Sequence, residues 1–284
     1  MKLHHLFVSA VLSVALSACD GSESQKTTEV KPQSSQTASA SSAQAASNLS
    51  LVQVGTDAKY PPFQYRDEKS KILGIEMDIL NAIGKSQGLG MEFNHFAREE
   101  WHKSLQNGTF DMWASAFYGN AEYPDDVLVS KPFMDAYIVV GLCDDKEGNA
   151  NIQNIEQLKG KKLAVSKYYG QKMIDLAAKL TGSPENVMVT DTFYLSAREL
   201  YNKQVDGVLG ANYVLAYFAQ EMKKEQSTRL LRVHDEEPRH LVFLVKKDKP
   251  ELLEKLNKGI DVALADGTIK AVQDKWLKGL NAVQ

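Results

Sequence analysis

Apolar and polar positions change between two periods along the chain, and the first part of this pattern predicts three strands and two helices. The segments LVQVGTD, MEFNHF and FDMWAS are short apolar or alternating runs, which are typical of strands. Between them, GIEMDILNAIGKSQG places Ile75, Ile79 and Ile83 on one helical face, and EEWHKSLQNG predicts a second helix that also ends at a glycine. The alternation of strands and helices predicts a parallel sheet covered by helices.

A second set of alternating segments follows Cys143. The predicted strands are KKLAVS, VMVT, VDGVLG and HLVFLVKK. The predicted helices are NIEQLKG, GQKMIDLAAKL, SARELYNKQ, NYVLAYFAQEM, PELLEKLNKGIDVALADG and TIKAVQDKWL. The restart of the pattern predicts two similar α/β units with a C-terminal extension rather than one large sheet.

The beginning of the chain has the pattern of an export signal. Lys2 precedes LFVSAVLSVALSA, an uncharged run of thirteen residues. This run is shorter than the roughly 20 apolar residues of a membrane-spanning helix, and it fits the apolar core of a signal peptide. LSAC then places Cys19 after two small residues, which resembles the lipobox of bacterial lipoproteins. We therefore predict a lipoprotein signal peptide at 1–18 and lipidation of Cys19, with an ordinary export signal as the alternative.

Residues 19–49 form a polar segment between this signal and the apolar pattern. They are rich in Ser, Ala, Gln, Thr and Lys and contain no aromatic residue. Such a composition buries too little apolar surface to offset the entropy of ordering, so we predict a disordered tether. Asp20 after the cysteine resembles an inner-membrane retention signal. We expect a protein that is lipid-anchored on the periplasmic side of a bacterial membrane, with the inner membrane favoured.

Composition narrows the partners of the folded part. The net charge of −3 is mild and no basic run occurs, so we expect no nucleic-acid partner. His95 and His102 lie seven residues apart without a third ligand at suitable spacing, so we expect no metal, and no motif indicates a cofactor. About 235 residues remain after the tether, enough for two modest lobes, and we expect a monomer.

The segment VGTDAKYPPFQYRDEKSKILGIEMDILNAIGK resembles the opening of the family 3 extracytoplasmic solute-binding proteins, the polar-amino-acid receptors of ABC importers. LQNGTFDMWASAF, LVSKPF, QVDGVLGANYVLAYF and LADGTIKAVQDKWL resemble later parts of that family in order, so the resemblance covers 50–280. It implies an α/β, two-lobe periplasmic-binding-protein fold of type II. Each lobe would have a mainly parallel sheet flanked by helices, and two hinge strands would join the lobes. Lobe 1 would comprise 50–136 plus 241–284, and lobe 2 would comprise 137–240.

The resemblance also implies ligand-binding residues in the cleft between the lobes. In lobe 1 these are Asp57, Tyr60, Trp101, Ser115, Ala116, Phe117, Tyr118 and Tyr123. In lobe 2 they are Tyr168, Tyr169, Gly170, Gln171, Ala211 and Asn212. The backbone N–H groups of Tyr169, Gly170 and Gln171 are expected to point into the cleft, as they do at helix N-termini.

Two departures from the family pattern concern the charged partners of an α-amino acid. The family's ligand-binding arginine falls on Tyr123, and its ammonium-binding aspartate falls on Ala211. Residues 104–130 contain no Lys, Arg or His. We therefore expect an aromatic cleft without a cation, and a ligand that is not a plain zwitterion, such as an amine or a modified amino acid. The alternative is a rearranged site in which Lys59 or Lys167 binds a carboxylate.

The function that this resemblance implies is non-enzymatic. We expect a substrate-binding lipoprotein that captures an amino acid or a related small amine or derivative and delivers it to an ABC permease. One alternative is a periplasmic enzyme resembling cyclohexadienyl dehydratase, for which Glu122 would be the nearby acidic candidate. Another is a sensory solute-binding module that has lost transport.

Overall fold

The computed structural model describes residues 49–277. The predicted signal peptide, Cys19 and the predicted tether up to residue 48 lie outside the described residues, as do residues 278–284. In the first half of the described range the elements are β1 (Ser50–Thr56), β2 (Lys59–Tyr60), β3 (Gln64–Arg66), β4 (Ile72–Leu73), α1 (Ile75–Gln87), β5 (Leu89–His95), α2 (Trp101–Gln106), β6 (Met112–Tyr118), β7 (Val127–Val129), β8 (Met134–Ala136) and β9 (Ile138–Cys143). In the second half they are β10 (Leu163–Ser166), α3 (Gln171–Thr181), β11 (Val187–Thr190), α4 (Phe193–Tyr201), β12 (Gly207–Ala211), α5 (Asn212–Glu221), β13 (Thr228–Arg232), β14 (Arg239–Lys246), α6 (Pro250–Ala265) and α7 (Thr268–Leu277).

The first sheet has the strand order β5-β1-β6-β14-β7, and β8 also pairs with β14. β1 pairs in parallel with β5, from Ser50 opposite Leu89 to Thr56 opposite His95, and it pairs in parallel with β6 on its other side. β14 is antiparallel to β6, β7 and β8. We call the part of the protein built on this sheet the first lobe.

The second sheet has the order β11-β10-β12-β9-β13. β10 is parallel to β11 and β12, whereas β9 is antiparallel to β12 and β13. We call the part built on this sheet the second lobe. The predicted fold of two α/β lobes is confirmed, and each sheet combines parallel and antiparallel pairings.

The chain passes between the sheets twice. It leaves the first sheet after β8 and enters the second with β9, and it returns between β13 and β14. Tyr137 is the residue between β8 and β9, and it is fixed to the second lobe by two hydrogen bonds. Its N–H donates to Asn212 Oδ1 at 3.0 Å, and its carbonyl accepts from the Asn212 N–H at 2.9 Å.

Helix α1 packs against the first sheet through the face that its periodicity predicts. Ile75, Ile79 and Ile83 are all fully buried, and α1 also contacts α6 and α7. The helix begins after Gly74, whose φ of 144° is rare for residues with a side chain. A Cβ on Gly74 would lie 2.2 Å from the carbonyl oxygen of Phe63, so only glycine fits at this close approach. None of the helices in the described range is long and apolar enough to cross a membrane.

Candidate functional site: a cavity between the lobes

The parallel strands of the first sheet bring polar residues to one edge. β5, β1 and β6 lie side by side and run in the same direction, so the segments that follow them meet where these strands end. Asp57 follows β1, Arg98 follows β5, and Ser115 is the middle residue of β6. Ligands of open α/β sheets generally bind at this carboxyl edge.

A cavity of about 200 Å³ lies at this edge and is lined by both lobes. Its lining residues are Asp57, Tyr60, Arg98, Ser115, Ala116, Tyr118, Tyr168, Tyr169 and Arg239. Drug-sized ligands occupy pockets of roughly 300 to 1,000 Å³, so this cavity suits a smaller solute. A larger groove of about 530 Å³ lies at the opposite, amino ends of β1 and β5, but it is lined by the first lobe alone.

Asp57 is held at the cavity by a buried hydrogen-bond network. Its Oδ1 accepts from the Ser115 hydroxyl at 3.0 Å and from Gln64 Nε2 at 3.1 Å, and its own N–H donates to Ser115 Oγ at 3.0 Å. Asp57 is 2% exposed and Ser115 is fully buried. The carboxylate is therefore fixed before any ligand arrives, and Oδ2 is the oxygen that these bonds leave free.

Arg98 brings a cation to the same end of the cavity. Its Nη1 donates to the backbone carbonyl of Ser115 and lies 3.9 Å from Asp57 Oδ2. The guanidinium also lies over the ring of Phe117, 4.6 Å from its centroid. Three contacts thus orient Arg98, while its side chain keeps 37% of its surface exposed. A guanidinium fixed in this way can donate two parallel hydrogen bonds to a carboxylate.

Ala116 forms part of the cavity wall in a backbone conformation with φ of 49°, which costs energy for a residue with a side chain. Its N–H donates to both carboxyl oxygens of Glu76, at 3.0 and 3.1 Å. Glu76 is fully buried in the first turn of α1, and this burial raises the pKa of its carboxyl to about 8. These bonds tie the cavity wall to the first turn of α1.

Arg239 is the second cation of the cavity and is the first residue of β14, where the chain returns to the first lobe. Its guanidinium lies 5.1 Å from the centroid of the Tyr118 ring, and its Nη2 lies 3.8 Å from the sulfur of Met173 in the second lobe. Among residues 49–277, no carboxylate lies within ion-pair distance of Arg239. Its charge is therefore open to a ligand.

The second lobe contributes two tyrosines from the turn after β10. Tyr169 Oη accepts from the Ala211 N–H at 2.8 Å and lies 3.5 Å from the Tyr60 hydroxyl of the first lobe. Burial raises the pKa of Tyr169 to about 12, and burial also raises the pKa values of Tyr60 and Tyr168. All three tyrosines are neutral at physiological pH and offer hydroxyls and ring faces rather than charge.

Aromatic rings also connect the lobes beside the cavity. The Tyr60 ring lies 5.2 Å from the Phe193 ring and 6.4 Å from the Tyr168 ring, measured between centroids. Phe193 in turn contacts Tyr169 at 4.8 Å. Each such pair contributes about 0.5 to 1.5 kcal/mol beyond the area that it buries. These rings hold the second lobe against Tyr60.

Half of the residues predicted from the sequence line the cavity. These are Asp57, Tyr60, Ser115, Ala116, Tyr118, Tyr168 and Tyr169. Trp101, Phe117 and Tyr123 do not line it but pack on one another, with the Trp101 and Phe117 rings 5.6 Å apart and the Trp101 and Tyr123 rings 6.1 Å apart. Phe117 acts indirectly, because it supports the Arg98 guanidinium.

The remaining second-lobe residues of the prediction make other contacts. The Gly170 N–H does not point freely into the cleft, because it donates to the Lys167 carbonyl at 3.0 Å. The Gln171 side chain donates to Asp175 at 2.8 Å. The Ala211 N–H donates to the Tyr169 hydroxyl. The side-chain oxygen of Asn212 accepts from the Tyr137 N–H, and the backbone N–H of Asn212 donates to the Tyr137 carbonyl.

The expectation of a cleft without a cation is wrong. Arg98 and Arg239 both line the cavity, whereas Lys167 pairs with Asp191 at 2.7 Å and Lys59 is exposed on β2. Arg98 precedes two glutamates in the sequence, which is typical of a solvated face, and Arg239 lies far along the chain from the other site residues. One available signal was the position of Arg98 shortly after β5, since β1 beside it and β6 beyond β1 carry site residues at the same edge.

Comparisons with known proteins agree with the fold. The family model described as bacterial extracellular solute-binding proteins, family 3, matches residues 52–279. The putative ABC transporter arginine-binding protein 2 of Escherichia coli K12 is 26% identical over 232 residues, which cover 80% of this chain and 90% of that protein.

Two solved structures with similar folds are described as ancestral proteins. An ancestral cationic amino acid solute-binding protein has a TM-score of 0.69 at 25% identity, covering 80% of this chain and 95% of that one. An ancestral amino-acid-binding protein described as a precursor of cyclohexadienyl dehydratase has a TM-score of 0.58 at 25% identity, with the same coverage.

Proposed function

Since this chain belongs to family 3 of the bacterial extracellular solute-binding proteins, we propose that it captures an amino acid or a closely related small solute and delivers it to an ABC permease. The observation that supports this proposal best is the cavity of about 200 Å³ lined by both lobes. Closure of two lobes around a ligand is the usual hinge motion of such binding proteins. The two crossings between the sheets are the positions where this hinge would bend.

The polar groups of the cavity favour a ligand with a carboxylate. Arg98 is held by the Ser115 carbonyl and the Phe117 ring, so its guanidinium is oriented before binding. A carboxylate that leaves water for a closed cavity requires charge-assisted donors of this kind. Two guanidinium groups disfavour the purely cationic amine that the sequence alone suggested.

Ligand capture is tested with the full-length protein after unfolding and refolding, which removes any co-purified solute. Mass spectrometry of the solute released on unfolding identifies the native ligand. Adding it back should raise the melting temperature by mass action and reduce the radius of gyration in small-angle scattering. A bound solute without an amino or carboxyl group would contradict the proposal.

A periplasmic dehydratase is the second candidate, because one similar ancestral structure is described as a precursor of such an enzyme. Glu122, the acid suggested by the sequence, is exposed and does not line the cavity. Asp57 lines it, but one of its oxygens already accepts two hydrogen bonds. We therefore expect no loss of prephenate or arogenate on incubation with the purified protein. Catalytic turnover of either compound would overturn the binding proposal.

Membrane anchoring and transport are separate parts of the proposal. The signal-peptide pattern and LSAC support lipidation of Cys19, with the protein held at the periplasmic side of the membrane. A Cys19→Ser variant should then move to the soluble fraction or stay unprocessed, and unchanged partition into detergent would contradict lipidation. Deleting the gene should abolish uptake of the ligand, whereas normal uptake would favour a sensory role.

A further inference from the structure

Arg98 of the cavity has the Asp57 carboxylate nearby, whereas Arg239 has no carboxylate within ion-pair distance among residues 49–277. This difference bears on the charge of the ligand. We infer that the preferred ligand carries two carboxylates, one for Arg98 and one for Arg239; this inference rests on the proposed function and names the substrate class of the same site. Acidic amino acids belong to this class with a net charge of −1, and the corresponding dicarboxylates without an amino group share the two carboxylates but carry one more negative charge.

The charge of the cavity is the first argument. Its ionisable lining residues besides the tyrosines are Asp57, Arg98 and Arg239, so two guanidinium groups against one carboxylate leave one positive charge. A ligand with a single negative charge makes the occupied cavity neutral. An acidic amino acid has this net charge, whereas a neutral zwitterion leaves one guanidinium without a carboxylate in a closed site, which is costly.

The position of Arg239 is the second argument. Arg98 has Asp57 Oδ2 at 3.9 Å and the Ser115 carbonyl as partners. Among residues 49–277, the Arg239 guanidinium contacts the Tyr118 ring and the Met173 sulfur, neither of which is a charge partner, and it has no ion pair there. Arg239 is a half-buried residue and lines the cavity. A ligand carboxylate is the partner that this arrangement lacks.

The wall of the second lobe is the third argument, because it offers no carboxylate to a cationic ligand. Tyr169 covers strand β12, where its hydroxyl accepts from the Ala211 N–H. A Cβ on Gly210 would lie only 3.1 Å from that hydroxyl, so the ring approaches the strand as closely as glycine allows. Asp57 is then the one carboxylate among the described lining residues, and the Ser115 and Gln64 bonds leave its Oδ2 for an ammonium group.

The experiment is isothermal calorimetry of the unfolded and refolded full chain against pairs of ligands that match in shape and differ in charge. The pairs are L-glutamate with L-glutamine and L-aspartate with L-asparagine, and glutarate and succinate test whether an amino group is needed. We expect at least one acidic ligand to bind at least tenfold more tightly than its amide. L-arginine and L-lysine should bind more weakly than that acidic ligand.

The matched variants are Arg239→Gln and Arg232→Gln. Arg232 also packs over a ring at a crossing, 4.2 Å from the Tyr137 centroid, but it does not line the cavity. Arg239→Gln should reduce the preference for the acid over its amide to less than threefold, while Arg232→Gln should leave it unchanged. The preference of the unmodified protein tests the inference even if Arg239→Gln does not fold.

The outcomes separate this inference from the proposed function. Equal binding of an acid and its amide, or tighter binding of L-arginine, overturns the inference and leaves an amino-acid receptor. Tight binding of glutarate or succinate, without binding of any amino acid, supports a ligand with two carboxylates. It contradicts the proposal that the ligand is an amino acid. If the protein binds none of the twenty amino acids and neither dicarboxylate, both the inference and the proposed function are overturned.

Discussion

The first-lobe side of the cavity carries charge, whereas the second-lobe side carries rings. Asp57 and Arg98 come from the first sheet's carboxyl edge and are connected through Ser115. Tyr168 and Tyr169 come from the second lobe and are neutral, since the ordinary tyrosine pKa of 10 already lies above physiological pH and burial raises the pKa of Tyr169 further, to about 12. Arg239 begins a strand of the first sheet and contacts Met173 of the second lobe.

This difference separates two tasks of ligand capture. The charged groups of the first lobe are fixed by buried hydrogen bonds, so they can select a ligand in the open state without much reorganisation. The rings of the second lobe are neutral and pack on Tyr60, so their energy depends on contact area rather than on the ligand's charge. The first lobe should therefore set specificity, and the second lobe should set how firmly the cleft closes.

The largest effect that distinguishes the lobes should be the pH dependence of stability. Burial raises the pKa of Glu76 in the first lobe to about 8. In the second lobe, burial raises the pKa of the Tyr169 hydroxyl at the cavity to about 12, so this hydroxyl keeps its proton over the same pH range. The folded protein thus binds the Glu76 proton more tightly than the unfolded chain does. The free energy of unfolding should fall as the pH rises from the ordinary carboxyl pKa of 4.5 towards about 8.

Replacing Glu76 with glutamine should remove this dependence. Because one pKa unit corresponds to about 1.4 kcal/mol, urea unfolding of the unmodified protein should show a loss of several kcal/mol between about pH 5 and about pH 8. Glu76→Gln keeps an acceptor for the Ala116 N–H and should flatten the profile. Glu254→Gln, at an exposed position of α6, is the control and should leave the profile as it is. An equal pH dependence in Glu76→Gln would show that other groups cause it.

The next largest effect should come from Arg98. Arg98→Gln removes the guanidinium that we propose for the ligand carboxylate, and losing one partner of a buried charge pair costs about 2 to 5 kcal/mol, or roughly 30-fold or more in affinity. Arg98→Lys should recover part of this loss, since lysine keeps the charge without the bidentate geometry. Calorimetry with the identified ligand measures both. Arg66→Gln, at an exposed position on β3, is the control, and a change of less than threefold in Arg98→Gln would contradict the role.

Arg98 also shows where sequence interpretation reached its limit. The strands, the inward face of α1 and the two-lobe fold follow from local periodicity and from the resemblance, because burial repeats with the period of each element. The role of Arg98 depends instead on which strands become neighbours, and its local sequence AREE resembles a solvated helix start. Asn212 illustrates the same limit, since its side-chain oxygen accepts from the N–H of Tyr137, which lies 75 residues away. Side-chain partners of this kind are set by tertiary contacts.

A smaller effect is expected from the second lobe. Tyr169→Phe keeps the ring and removes the hydroxyl that accepts from the Ala211 N–H. Leaving that N–H without its partner should cost about 1 to 3 kcal/mol in the free energy of unfolding, and affinity should fall by less than about tenfold. The preference between an acidic ligand and its amide should not change, because the lost hydroxyl is neutral. Tyr194→Phe, at an exposed position of α4, is the control. A changed charge preference in Tyr169→Phe would place specificity in both lobes.

The smallest effect should come from Tyr123, the residue at the position where the family's ligand-binding arginine was expected. Its hydroxyl donates to the Tyr118 carbonyl at 2.8 Å, and its ring packs on Trp101 outside the cavity lining. Tyr123→Phe should therefore lower the free energy of unfolding by about 0.5 to 1.5 kcal/mol and change affinity by less than about threefold. Calorimetry and urea unfolding of this variant measure the two quantities separately. A loss of affinity as large as that of Arg98→Gln would mean that Tyr123 reaches the ligand, and the first lobe would then recognise it through an aromatic hydroxyl as well as through charge.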